Sequence, residues 1–156
     1  MSNADGQTVT GSQVAEDPDI EKAIVRRRER LDGASQERHA AQAAREAKVA
    51  AFRRQAEDTI GPELRLVAEQ VTKEIGISAE IVDELDNASP WMALKLRVPP
   101  RTAEVRFTFD LEQNLVTVRT TGEGESSPRM DRKELSELTT AFVHDQARDA
   151  FVHAAS

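Results

Sequence analysis

Large apolar residues are spread unevenly along this chain. From Asp19 to Thr59 they number six: Ile20, Ile24, Val25, Leu31, Val49 and Phe52. The rest of that stretch is Ala, Arg, Glu and Gln, all strong helix formers. Asp17-Pro18 supplies a cap and a first helical residue. The pattern predicts a long, sparsely apolar helix over residues 18–60, weakest at Gly33 and most secure from Ala40 to Ala56. Heptad spacing aligns Ile24, Leu31, Arg38, Arg45 and Phe52, and the two arginines argue against a regular self-paired coiled coil.

Gly61-Pro62 punctuates that helix. Leu64, Val67, Ala68, Val71 and Ile75 then recur at helical spacing, which predicts an amphipathic helix over 63–75 ended by Gly76. It is either a separate element or a kinked continuation of the first. Beyond Gly76 the period falls to two. Ile77, Ala79 and Ile81 alternate weakly. Met92, Leu94, Leu96 and Val98 alternate with Lys95 and Arg97, and Ala103, Val105, Phe107 and Phe109 alternate with Glu104, Arg106 and Thr108. Leu115 to Thr120 turns Val116 and Val118 inward. One apolar and one charged face is the mark of an antiparallel sheet with a solvated side. Residues 122–128 read as a loop. Asp131 and Glu134 read as the start of a final helix striped by Leu135, Leu138, Phe142, Val143, Ala147 and Phe151.

The expected fold is therefore α+β. A disordered tail (1–17) and a helical arm (18–60) precede a compact domain (61–156) with a three- to four-stranded antiparallel sheet covered by helices on one face. Its expected core is Leu64, Val67, Val71, Leu94, Leu96, Val105, Phe107, Val116, Val118, Leu138 and Phe142.

Charge sharpens this picture. The net charge is −7, yet residues 19–60 hold ten Lys/Arg against eight Asp/Glu. Lys22, Arg26, Arg27, Arg28 and Arg30 form the one basic cluster, diluted by Glu21, Glu29 and Asp32. The acidic remainder does not favour a phosphate backbone, so nucleic acid is the second reading rather than the first. With no Cys, disulfide and thiol chemistry is absent. No apolar run suggests a signal peptide or a spanning helix, so a cytoplasmic protein without membrane insertion is expected.

Little in the chain carries chemistry. His39, His144 and His153 have no metal-ligand spacing, and Asp83, Glu84 and Asp86 show no calcium-loop pattern. The glycines of 122–128 are not followed by the lysine of a phosphate loop. Catalytic residues, cofactor and metal are all read as none. Trp91 is out of phase with the apolar side of its strand, which places it on the outer face or at a sheet edge. Lys95, Arg97, Arg106 and Arg119 share the outer phase and could form a positive stripe.

The reading that follows is a non-catalytic protein-interaction module, an adaptor, assembly factor or chaperone-like protein. It would bind a protein partner and form a homodimer through the arm and the sheet face. Arg26, Arg27, Arg28, Leu31, Phe52 and Trp91 are its contact candidates, with arginines as forked donors and the others as apolar anchors. The alternatives are a nucleic-acid-associated protein using the basic arm, or a small-ligand binder or enzyme with a pocket between sheet and helices. In composition and element order alone, the chain loosely resembles small dimeric secretion chaperones.

Overall fold

The structure is a computed structural model, and it describes residues 17–123 and 128–156. The expected tail, apart from Asp17, and positions 124–127 of the expected loop lie outside the described residues. Helix α1 spans Pro18–Gln55, a π turn Ala56–Ile60, and helix α2 Gly61–Val71. Strands β1 (Ser78–Glu84), β2 (Trp91–Val98), β3 (Arg101–Asp110), β4 (Leu115–Gly122) and β5 (Arg129–Lys133) follow. A short 3₁₀ turn, Leu135–Glu137, leads to helix α3, Thr140–Ala155. The class is α+β with a helical arm. The chain divides into two compact units, one ending at Ala44 and the other Arg45–Ser156.

In the first unit, Asp17 caps α1: its carboxylate accepts from the Asp19 N–H at 2.8 Å. Ile20, Ile24, Val25 and Leu31 are all exposed.

The second unit begins while the chain is still in α1. Phe52, Ala56 and Ile60 are fully buried, so its core starts before the expected boundary at Gly61. Phe52 stacks on Phe109 of β3 with ring centroids 5.5 Å apart. At Gly61 a Cβ would lie 2.8 Å from the Ala56 carbonyl oxygen and 3.6 Å from Met92 Cε. Glycine is what permits α1 to pass through one wide turn into α2 as a continuous rod. Helix α2 ends a turn earlier than its apolar spacing predicts. Thr72 Oγ1 donates to the Ala68 carbonyl at 2.7 Å, the chain turns, and Ile75 is left 96% exposed.

The sheet is a meander with strand order β1-β2-β3-β4-β5, every pair antiparallel. The expected phase holds. Met92, Leu94, Leu96, Val105, Phe107, Val116 and Val118 are buried beneath the helices, while Lys95, Arg97 and Arg119 are exposed on the other side. Of the expected core only Phe142 is half-buried. Asn114, in the β3–β4 turn, takes φ +56°, the left-handed conformation that Asn tolerates, and Asp110 accepts from the Glu112 and Gln113 N–H groups.

Two expectations are corrected. The sheet has five strands instead of three or four, because Arg129–Lys133 pairs with β4. The final helix begins at Thr140, not at Asp131. Glu134 and Glu137 form their reciprocal capping box on the 3₁₀ turn, and Thr139 caps α3 by accepting from the Phe142 N–H at 3.1 Å. Strand β5 meets α3 through charge: Arg129 lies 3.8 Å from Asp149, and the Lys133 ammonium sits 5.5 Å from the Phe142 ring centroid.

Candidate interaction surfaces

In α1, successive side chains are rotated by about 100°, so Ile20, Ile24 and Leu31 fall within about 40° of one another. Their exposures are 59%, 42% and 51%. Arg27 lies on the same stripe and Arg28 borders it, while Arg26 is turned about 120–160° away from the apolar residues; all three arginines are exposed. The Arg26 Nε donates to the Lys22 carbonyl at 3.3 Å. The segment thus offers branched apolar groups next to guanidinium groups on one short helical surface.

Phe52 does not belong to any such surface. It is fully buried against Phe109, and an aromatic ring held inside a core cannot anchor a partner. Sequence placed it in the arm because the break that ends the arm, Gly61-Pro62, comes after it; only the packing shows that α1 has entered the body by that point.

Trp91 is half-buried on the solvent side of the sheet. Its strand is interior, paired with β1 on one side and β3 on the other, so the tryptophan is not at an edge. The Arg106 guanidinium covers its ring at 3.9 Å from the centroid, a cation–π contact, and also donates to Glu104 at 2.9 Å. Strand pairing arranges this outer face in rows. One is Val82–Ala93–Arg106–Arg119–Met130, another Glu84–Trp91–Thr108–Thr117–Arg132, a third Glu80–Lys95–Glu104–Thr121. The four cations expected as a positive stripe do share this face. Glu80 and Glu104 flank Lys95 directly, however, and Glu104 holds Arg106, so acids interrupt the stripe.

The histidine chemistry sits elsewhere. His144 does not use its neighbour Asp145, which pairs with Arg148 at 3.2 Å. Instead its Nδ1 lies 2.9 Å from Glu63 Oε1, joining α3 to the first turn of α2. The Glu63 side chain is only 10% exposed. Nothing in the sequence marks this pair, whose members stand 81 positions apart. The pair borders a groove of about 380 Å³ between α2 and α3, lined by Val67, Gln70, Val71, Glu74, Ile77, His144, Arg148 and Phe151. That lining has no hydroxyl or thiol for the imidazole to activate. Arg148 is itself engaged by Asp145 and Asp149. The contact links α2 to α3.

The acidic residues near the β1–β2 turn are also engaged. Asp86 pairs with Arg53 at 2.7 Å, and Glu84 accepts from Asn87 at 3.0 Å. Among the described residues no cluster of acidic or histidine side chains could hold a metal ion, and no helix is long and apolar enough to cross a membrane. No family model, no curated protein and no solved structure matches the chain.

Proposed function

We propose that this protein is a non-catalytic interaction module, homodimeric, that docks a protein partner through α1 and uses its sheet face as a second contact surface. The observation that carries this reading is the stripe on α1: Ile20, Ile24 and Leu31 are each more than two-fifths exposed beside Arg27 and Arg28. An apolar stripe on an otherwise charged helix is buried by association, in the helix-in-groove manner, and flanking arginines select a groove rimmed by carboxylates. On this reading the contact between His144 and Glu63 only links α2 to α3.

The test uses the full chain. Crosslinking and mass spectrometry in the native extract would compare wild type with Ile24→Asp/Leu31→Asp, with Arg26→Ala/Arg27→Ala/Arg28→Ala and with Trp91→Ala, each checked for unchanged far-ultraviolet circular dichroism. The first two are expected to lose the partner captured by wild type. Capture unchanged by both would sink the α1 assignment. A turnover abolished by His144→Ala in a folded protein would overturn the non-enzyme reading itself.

A further inference from the structure

The outer face of the sheet carries its charges unevenly from strand to strand. At one edge, β1 presents Glu80 and Glu84 with Val82 between them. At the opposite edge, β4 and β5 present Arg119 and Arg132 with Met130, which is 54% exposed. The central strand is neutral on this face, since Glu104 and Arg106 bind each other at 2.9 Å. Between edge and centre, β2 presents Lys95 and Arg97, and Glu123 follows β4 level with Arg97. Acids at β1 and Glu123 and bases at β5 and Arg97 are complementary to one another under a twofold rotation about β3.

We infer that this face is the contact between two copies of the chain, packed sheet to sheet about a twofold axis that runs along β3. The proposal rests on the homodimer reading above and assigns it to a surface. Charge selects the axis. An axis across the strands would lay β1 on its own copy, setting Glu80 and Glu84 against the same acids and Arg119 and Arg132 against the same bases. Like charges facing one another disfavour that arrangement. The axis along β3 instead lays β1 over β5 of the second copy and β2 over β4. Following the register, Glu84 then faces Arg132 of the second copy and Val82 faces its Met130. Trp91 faces Thr117. Arg97 faces Glu123, which is level with it because the Glu123 N–H bonds the carbonyl of Thr102, its neighbour on β3. Twofold symmetry makes each of these contacts twice; on the axis itself Glu104 and Arg106 meet their own copies, each already neutralised by the other within its chain at 2.9 Å.

The area suffices. Five strands about 4.8 Å apart and about 25 Å long cover roughly 600 Å² per copy. Two copies then bury about 1,200 Å², at the lower end of specific interfaces. The half-buried Trp91 and Val82 and the exposed Met130 give the face apolar surface among its charges. An interface of this make-up is salt-sensitive.

Sedimentation velocity over a concentration series tests the assignment. Wild type is expected to show a monomer–dimer equilibrium that weakens roughly tenfold as salt rises from about 50 mM to about 500 mM. Glu84→Arg and Arg132→Glu, each alone, are expected to weaken the dimer roughly tenfold, since both symmetry-related pairs become repulsive. The double variant Glu84→Arg/Arg132→Glu inverts both pairs in every copy and is expected to recover wild-type association. A wild type that stays monomeric throughout, single reversals without effect, or a double variant no better than the singles would each overturn the proposal. Dimers that ignore the reversals but dissociate in Ile24→Asp/Leu31→Asp would overturn it too, and would move self-association to α1. Partner capture through α1 is read out separately, so failure here leaves that reading standing.

Discussion

Phe52→Ala measures how far the folded body extends into the long helix. The side chain is fully buried, and its ring stacks on Phe109 at 5.5 Å with an interplanar angle of 8°. Truncation removes the buried ring, leaves a void against Phe109 and forfeits the stacking contact. Phe-to-Ala changes at such sites cost about 3–5 kcal/mol. A domain of this size is stable by only about 5–15 kcal/mol, so the change removes a large fraction of the total. For a body of roughly 110 residues (Arg45–Ser156), an unfolding entropy of about 2.1 cal/mol/K per residue converts that loss into a fall in Tm of about 15 °C. Urea titration monitored by the fluorescence of Trp91, the chain's one tryptophan, reports on the same unit. Ile24→Ala serves as the control: this side chain is 42% exposed, and its loss is expected to change stability by less than about 0.5 kcal/mol. A Phe52→Ala variant within about 1 kcal/mol of wild type would refute the packing argument and return residues 45–60 to the arm.

Two further predictions concern the helical rod and the contact between α2 and α3. Helix propensity alone would make Gly61→Ala stabilising by about 1 kcal/mol. A Cβ 2.8 Å from the Ala56 carbonyl reverses the sign, and a net loss of about 1–2 kcal/mol in urea unfolding is expected; an unchanged or raised midpoint would show that the wide turn tolerates a methyl group. His144→Ala leaves the nearly buried Glu63 carboxylate without its 2.9 Å partner, with an expected loss of about 1–2 kcal/mol. A double-mutant cycle with Glu63→Ala should return a coupling of roughly 1 kcal/mol, and a value near zero would mean that the two side chains do not support each other.

Much of the body was legible in the sequence because burial imposes a period. Strands β2, β3 and β4 alternate between a covered and an open face, and their inward residues follow directly from that alternation. The α2 stripe and the class of the fold follow for the same reason. Strand β5 was not legible. Its sequence, Arg129-Met-Asp-Arg-Lys133, has no apolar alternation, since its inward side meets α3 through Arg129 and Lys133. It is a strand because the β4 edge offers backbone partners, a condition set by tertiary structure. The true start of α3 was hidden likewise: Glu134 and Glu137 satisfy a capping pattern that a 3₁₀ turn uses as readily as a helix.

The surfaces divide along the same line. Local sequence determined the exposed apolar and arginine residues of α1, because helix periodicity alone places Ile20, Ile24 and Leu31 on one stripe. Sequence phase also put Trp91 on the outer face. Only the tertiary structure removed Phe52 from the surface, brought Glu63 to His144, laid Arg106 across the Trp91 ring, and ordered acid at one sheet edge and base at the other. Periodicity reports which side of an element is covered. Which residue of a distant element does the covering depends on strand order and register, and those are fixed by the packing of the whole chain.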